Sequence, residues 1–180
     1  MKITLTFIST VILIATALLF FVNSGIYNVA ARKPHNKIVS RILNTAMERS
    51  VKRHARGIVK PSLTDDSLIK SGFKHYNEMC VGCHGKPGLS ASELDNGFNP
   101  EAPDIIEEIK EGEWSAEELF WIIKNGIKMS AMPSFGHNHS DEQIWAIVAF
   151  LERLPQISPE EYKAMELAED EEPHEHTHSH

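Results

Sequence analysis

The stretch Cys80-Val81-Gly82-Cys83-His84 has the spacing C-x-x-C-H. Its two thiols are about one helical turn apart, so each can form a thioether with one vinyl group of a haem. The imidazole that follows the second thiol then lies beneath the iron and can ligate it. The pattern therefore predicts one covalently attached haem c, with Cys80 and Cys83 as the attachment residues and His84 as an axial ligand.

Three other uses of a C-x-x-C pair explain this stretch less well. A thioredoxin-like redox pair gives no role to His84 and belongs to a βαβ context that this sequence does not have. A structural zinc site needs more ligands at matching spacing, and Cys80 and Cys83 are the only cysteines in the chain. A disulfide between cysteines so close in sequence would be strained.

The N-terminal segment, residues 1–31, contains an uncharged apolar run from Ile3 to Val22 that is long enough to cross a bilayer. The apolar run of a cleaved signal peptide is usually only about 7–15 residues, so we favour an uncleaved anchor, with cleavage after Val29-Ala30-Ala31 as the alternative. By the positive-inside rule, the basic residues that follow this apolar run would place the domain in the cytoplasm. Bacterial c-type haem is attached outside the cytoplasmic membrane, and this more specific motif predicts a single-pass protein of the bacterial inner membrane with its haem domain in the periplasm.

The charge of the chain is unevenly distributed. The 180 residues carry a net charge of −7, which argues against a nucleic-acid partner. Residues 32–60 nevertheless contain nine lysines and arginines and only one acidic residue, whereas the chain is mostly acidic from Glu93 onward. The asymmetry indicates a basic juxtamembrane segment and a separate acidic domain.

Within the basic segment, residues 32–64, apolar side chains recur at helical spacing from Ile38 to Val51. They predict one amphipathic helix that ends near Gly57 and Pro61. Three roles stay open for it: a connecting helix that packs on the haem domain, a helix that lies on anionic lipid headgroups, or a helix that docks a partner.

The residues before the haem motif have a pattern of their own. Gly72 lies four residues before Tyr76 and eight before Cys80, and Phe150 lies in a strongly apolar predicted helix further on. Over about residues 65–155 this pattern resembles the class I c-type cytochromes. In that family a small residue, at the position of Gly72, lets the C-terminal helix cross closely. An aromatic residue of the C-terminal helix, at the position of Phe150, packs at this crossing. The resemblance implies a compact all-α domain of three or four helices around one haem, here residues 65–157.

A second motif, Met132-Pro133-Ser134-Phe135, is similar to the M-P-x-F loop that carries the second axial ligand in that family. Pro133 keeps Met132 out of the helical conformation, so an extended loop can present its thioether to the iron. Ligation by His and Met raises the reduction potential above that of a bis-His haem. Met132 is therefore the predicted second ligand. The alternatives that stay open are Met129, His137 and His139.

The resemblance also implies that a proline carbonyl accepts a hydrogen bond from the ligating histidine, which fixes its tautomer. The sequence does not choose among Pro87, Pro100 and Pro103 in the loop-rich stretch 85–113. Ile105 and Trp114 are explained equally well as haem-packing residues and as core residues. Helix boundaries are clearer, because the capping boxes Ser115–Glu118 and Ser140–Gln143 predict two helix starts and Gly126 predicts a helix end.

The last segment, residues 158–180, begins with Ser158 and Pro159 at the start of a predicted short helix. It then becomes acidic and rich in histidine. This composition suits weak binding of copper, zinc or nickel, and a solvated tail is the alternative. The histidines that alternate with other residues are His174, His176, His178 and His180.

Together these features predict an all-α, cytochrome c-like helical domain around one covalent haem, with an N-terminal transmembrane helix. The predicted function is single-electron transfer between redox protein partners, membrane complexes among them, by an anchored periplasmic carrier that is not an enzyme. A cytochrome subunit of a periplasmic oxidoreductase, and a haem peroxidase or sensor, are the alternatives. The single haem motif argues against the two-haem peroxidases. Metal handling by the tail is a third hypothesis.

Overall fold

The computed structural model describes residues 2–89 and 97–170. The histidines of the tail therefore lie outside the described residues. The helices are α1 (Lys2–Asn23), α2 (Lys37–His54), α3 (Asp66–Met79), α4 (Val81–His84), α5 (Ile105–Glu111), α6 (Ala116–Asn125), α7 (Asp141–Arg153) and α8 (Pro159–Asp170), with a 3₁₀ turn at Leu154–Gln156. In the described ranges no β-strand forms, and only an isolated bridge joins Lys86 to Leu89. The predicted all-α class is confirmed.

The chain divides into two compact units, residues 1–33 and residues 34–180. The first unit contains α1, a helix of 22 residues with no buried side chain. By its length and composition α1 can cross a membrane. It is therefore compatible with the predicted single-pass anchor.

In the second unit, α3 crosses α7 at very short range. A Cβ atom placed on Gly72 would lie 1.9 Å from the carbonyl oxygen of Ala146 and 2.9 Å from the Cβ of Phe150. Only glycine allows the two backbones to approach this closely. The rings of Tyr76 and Phe150 meet beside the crossing, with centroids 5.3 Å apart. The crossing predicted from Gly72, Tyr76 and Phe150 is therefore confirmed.

Helix α8 completes the core. Its Tyr162 is 1% exposed and packs edge-on against Phe73 with ring centroids 5.2 Å apart. The Tyr162 hydroxyl donates a hydrogen bond to Oδ1 of Asn77 at 3.1 Å. Ser158 caps the start of α8 by accepting from the backbone N–H of Glu161. The short helix predicted before the tail thus packs as part of the haem domain's core.

The predicted helix boundaries around the core are confirmed. Ser115 and Ser140 each form a complete capping box, with Glu118 and Gln143 respectively. Helix α6 ends at Gly126, whose φ is +67°. These local hydrogen bonds satisfy backbone groups at the helix ends that would otherwise lack partners.

The C-terminal half of α2 packs on the haem domain. Val51 is 1% and Ala55 5% exposed. The ring of His54 stacks on Trp121 of α6 with centroids 5.6 Å apart. This half of α2 therefore packs on the haem domain, as the connecting-helix interpretation predicts.

Candidate haem-binding site

The two cysteines lie on one continuous turn at the end of α3. The backbone N–H of Cys80 donates to the carbonyl of Tyr76 at 2.9 Å, and that of His84 donates to the carbonyl of Cys80, also at 2.9 Å. Helix α4 therefore follows α3 with only Cys80 between them, and it ends at Gly85. Both thiols are free and partly buried. This turn places the two thiols and the imidazole together, as the C-x-x-C-H spacing predicted.

Tyr76 fixes the far end of this turn. Its hydroxyl donates to the carbonyl of Gly85 at 2.8 Å inside the core. Burial raises the pKa of Tyr76, so the hydroxyl stays protonated and remains a donor. The bond connects the last turn of α3 to the residue after His84, and it therefore restricts how the haem motif can move.

The proton on His84 is assigned by its hydrogen-bond partner. Its Nδ1 lies 3.1 Å from the carbonyl oxygen of Pro103. A carbonyl can only accept, so Nδ1 carries the hydrogen and Nε2 keeps its lone pair. The structure thus selects Pro103 among the three prolines that the sequence left open, and it prepares Nε2 for a metal ion.

The position of Pro103 depends on the start of α5. The side chain of Asp104 accepts from the backbone N–H of Ile106 at 3.0 Å and of Glu107 at 3.2 Å. Ile105 is 8% exposed and belongs to the hydrophobic core. The cap and the buried anchor hold the backbone at Pro103, so the imidazole of His84 has a fixed partner.

Trp114 follows α5 and is only partly buried. Its indole Nε1 donates to a carboxylate oxygen of Glu108 at 3.2 Å. Lys52 of α2 lies 5.9 Å from the centre of the Trp114 ring. Burial and, to a smaller extent, the nearby Glu113 raise the pKa of Glu108. Trp114 therefore links α5 to α2 as well as bordering the core.

The Cys80 thiol does not have the properties of a redox-active thiol. Burial, with a smaller contribution from Cys83, raises its pKa to about 12. Reactive C-x-x-C thiols have pKa values well below the usual 8.5, because neighbouring groups stabilise the thiolate. This environment argues against thioredoxin-like chemistry at Cys80.

The predicted second ligand lies in a loop that is fixed to the end of α6. The backbone N–H of Ile127 donates to the carbonyl of Met132 at 3.1 Å. The backbone N–H of Met132 donates to Oγ of Ser130, also at 3.1 Å. Met132 is partly buried and packs against the same hydrophobic core as Cys80 and Val81. The loop therefore brings the thioether to the core that the haem motif also borders.

The residues after Met132 return along the last turn of α6. Ser134 donates through its hydroxyl to the carbonyl of Lys124 at 2.7 Å. The backbone N–H of Phe135 donates to the carbonyl of Ile123 at 3.1 Å, and that of Gly136 donates to Lys124 at 3.0 Å. Carbonyls at the end of a helix lack hydrogen-bond partners within the helix. The residues of this loop supply the missing donors.

Gly126 has a second role that its helix-ending position did not predict. A Cβ atom there would lie 2.8 Å from the carbonyl oxygen of Met132 and 2.7 Å from the carbonyl carbon of Pro133. Its φ of +67° is also unfavourable for other residues. Ser130 and Ser134 were missed as well, because a single serine in a loop has no recognisable sequence pattern.

Two of the three alternative ligands, Met129 and His137, lie on the surface. Met129 is 88% exposed, and its φ of +64° directs the backbone through a surface turn. His137 is exposed. His139 donates from Nδ1 to the carbonyl of Phe135 at 3.2 Å and faces the ring of His75, with centroids 5.4 Å apart. Met132 therefore stays the predicted second ligand.

The described residues fit a covalently attached haem. Two free thiols share a turn with an imidazole whose Nε2 is available. A soft thioether lies in a braced loop, and partly buried apolar side chains border the core beside both groups. A porphyrin is a flat apolar ring that such side chains can cover. Two thiols for attachment, with an imidazole and a thioether for the iron, are also the protein groups typical of haem c.

The fold and this site define a monohaem c-type cytochrome domain. Residues 67–151, from α3 to near the end of α7, match the family model described as cytochrome c oxidase, cbb3-type, subunit III. The matched span contains both the C-x-x-C-H turn and the Met132 loop. Nothing among curated proteins or solved structures matches the chain significantly. The chain is thus an electron-transfer haem protein that binds haem c.

Proposed function

We propose that this chain is a membrane-anchored, periplasmic cytochrome c that carries single electrons between redox protein partners through one covalently attached haem. Cys80 and Cys83 form the two thioethers, and His84 and Met132 are the axial ligands. The observation that carries the proposal is the hydrogen bond from His84 Nδ1 to Pro103 at 3.1 Å. It leaves Nε2 available on the same turn as two free thiols.

Bound haem supplies an iron that changes between ferric and ferrous states by gaining or losing one electron. With haem bound, His84 and Met132 would both ligate the iron, so a small molecule would have to displace one of them to reach it. The thioether favours the ferrous state and raises the reduction potential. Pro103 orients the imidazole, and the bonds from Ser130 and Ser134 keep the loop of Met132 close to its working geometry.

The haem edge near the thioethers would be the surface for electron exchange, bordered by Val81, Gly82, Lys86 and the Met132-Pro133 segment. Gly82 is exposed and has open space around it. Lys86 forms an ion pair with Glu166 at 2.6 Å, which ties this rim to α8. The acidic domain suits a partner with a basic docking surface. Because salt screens this attraction, the rate at which the two proteins associate falls as salt rises.

The apolar helix α1 supports the anchored part of the proposal. Haem c is attached outside the bacterial cytoplasmic membrane, so α1 crosses the inner membrane once and the haem domain faces the periplasm. A tether of this kind raises the effective concentration of the haem domain near membrane-bound partners.

The family match favours a second candidate function. The matching family is described as a subunit of a cbb3-type cytochrome c oxidase, so this chain is also a candidate electron-transfer subunit of a membrane oxidase. Mild detergent extraction of a tagged chain separates the two candidates. A carrier elutes alone, whereas a subunit elutes in a complex that reduces oxygen.

The proposed function is tested by absorption spectra of the oxidised, reduced and CO-treated reduced protein. We expect a low-spin wild type that does not bind CO, because Met132 holds the second axial position. Met132→Ala opens this position and binds CO, whereas the matched control Met129→Ala behaves as the wild type. A wild type that binds CO readily would contradict the carrier and favour a haem sensor or peroxidase.

A further inference from the structure

Helix α2 carries apolar side chains on two opposite faces. On one face, Val51 is 1% exposed and packs on the haem domain. On the other, Ile38 is 69% and Ile42 is 62% exposed. Ile42 and Val51 are nine residues apart, about two and a half helical turns, so their side chains point in opposite directions. The apolar pattern of α2 is therefore not a single core-facing stripe.

The exposed face continues into basic residues. Arg49 and Arg53 follow Ile42 by seven and eleven residues, which returns each to within about 20° of the same direction. Both arginines are exposed. Val39 and Leu43 flank the stripe at 38% and 46% exposure. We call this surface the outer face of α2; its residues are Ile38, Val39, Ile42, Leu43, Arg49 and Arg53.

We propose that the outer face of α2 lies on the anionic lipid headgroups of the membrane in which α1 is inserted. The inference rests on the membrane anchor of the proposed function and assigns a second, peripheral membrane contact. Its apolar half enters the boundary between headgroups and acyl chains, and its arginines contact lipid phosphates. Helices that lie in the membrane interface combine an apolar surface with basic residues in this way.

The position of α2 in the chain favours lipid as the occupant. Only residues 24–36 separate α1 from α2. Thirteen residues span at most about 45 Å when fully extended, so an inserted α1 keeps the start of α2 within that reach of the bilayer. This connection contains the exposed apolar residues Ile26, Tyr27 and Val29, and tyrosine is enriched at membrane interfaces.

The charge also favours lipid over a second copy of the chain. Residues 32–60 carry nine basic residues against one acidic residue. Two outer faces packed against each other in parallel would bring Arg49 and Arg53 of one copy near the same residues of the other. Like charges at such an interface oppose association, whereas anionic headgroups neutralise them.

This contact would fix which side of the haem domain faces the membrane. The opposite face of α2 packs on α6 through the stacked rings of His54 and Trp121. Helix α6 leads through Gly126 into the Met132 loop. Because α2 lies between lipid and α6, the haem domain keeps one orientation relative to the bilayer, and a membrane-bound partner meets a defined surface.

The test uses the full holoprotein in lipid nanodiscs that contain either phosphatidylglycerol or only phosphatidylcholine. A nitroxide is attached at Ile42→Cys, and a matched control label at Lys163→Cys on the exposed surface of α8. The native cysteines are consumed by the haem. We expect the label at 42 in anionic discs to be relaxed by lipid-dissolved oxygen and shielded from a water-soluble nickel complex. The label at 163 should be open to nickel in both lipids.

A charge variant sharpens the result. Arg49→Glu with Arg53→Glu should restore nickel access at position 42 in anionic discs to within about twofold of the control label. Without the arginine substitutions, a label at 42 that is as accessible to nickel as the label at 163 in anionic discs would overturn the inference. Shielding that occurs only in discs loaded with two chains would also overturn it, because it assigns the outer face to a second copy.

The same samples separate this inference from the proposed function. A chain that co-elutes with the discs and has a low-spin spectrum, but an exposed label at 42, retains the anchor and the carrier role and loses only the lipid contact of α2. A chain that does not co-elute with the discs contradicts the anchor, and the lipid contact fails with it.

Discussion

The two halves of the haem site are built differently. The turn with Cys80, Cys83 and His84 follows α3 directly. Hydrogen bonds join it to the buried Tyr76 and to the carbonyl of Pro103. The Met132 loop lies about fifty residues further along the chain and depends on short bonds to the end of α6. The first half supplies two attachment thiols and one predicted axial ligand from five consecutive residues, whereas the second places one predicted ligand through tertiary contacts. Weakening the scaffold should therefore affect the whole domain, and weakening the loop should affect ligation by Met132.

The largest expected effect comes from the α3–α7 crossing. Gly72→Ala places a Cβ 1.9 Å from a backbone oxygen, so the helices must separate, and we expect a loss of about 3 kcal/mol in the free energy of unfolding. Gly82→Ala is the matched control, because no atom lies within 4 Å of its added Cβ. It should stay within about 0.5 kcal/mol of the wild type. Urea unfolding followed by circular dichroism measures both, and similar losses would contradict the close crossing.

The next effect concerns the Met132 loop. Gly126→Ala combines backbone strain with contacts to Met132 and Pro133, and we expect it to cost about 2 kcal/mol and to weaken methionine ligation. Gly112→Ala is matched in φ, at +68°, and has open space around its Cβ. It should cost only about 1 kcal/mol and leave the charge-transfer band of methionine-ligated ferric haem intact. Loss of that band in both variants would contradict a specific role for the contacts of Gly126 with the Met132 loop.

A smaller effect is expected on the histidine side. Tyr76→Phe removes the donor to the buried carbonyl of Gly85, at a cost of about 1.5 kcal/mol. Since the haem motif is also held by α3 and by Pro103, we expect unfolding at lower temperature and unchanged ligation at room temperature. Tyr162→Phe, which removes a partly buried bond to Asn77, is the control and should cost less. A loss of methionine or histidine ligation in Tyr76→Phe would be the unexpected outcome.

The smallest effect should come from Ser134. Ser134→Ala removes its bond to the carbonyl of Lys124, which still accepts from the backbone N–H of Gly136. We expect a loss of about 0.5 kcal/mol, seen as a lower temperature for disappearance of the methionine charge-transfer band. Ser62→Ala, on an exposed segment, should leave that temperature unchanged. An equal shift in both variants would remove the special role of Ser134.

Local patterns predicted more of the histidine side than of the methionine side. The spacing of Cys80, Cys83 and His84 and the crossing at Gly72 depend on helix periodicity, which is visible in a sequence. The choice of Pro103 depends on how the chain folds back to α5, and no local pattern encodes it. The bracing by Ser130 and Ser134 likewise requires the loop and α6 to be in contact.

Helix α2 illustrates another limit of sequence analysis. Its apolar residues from Ile38 to Val51 recur at helical spacing, yet Val51 is the one that becomes buried. Periodicity indicates that a helix is amphipathic, but it does not identify which surface covers each part of the apolar face. Tyr162 was missed for a related reason, because a single tyrosine in a short acidic helix does not indicate that the helix completes a core.

The most direct test of ligation by His84 and Met132 is proton NMR of the reduced protein with labelled methionine methyl groups. Six methionines are present, and the methyl group of a methionine whose sulfur ligates the iron lies over the haem, so its resonance is shifted far upfield by the ring current. We predict one such resonance, lost in Met132→Leu and retained in Met129→Leu. A shifted methyl resonance that survives Met132→Leu, or its absence in the wild type, would contradict the proposed ligand pair.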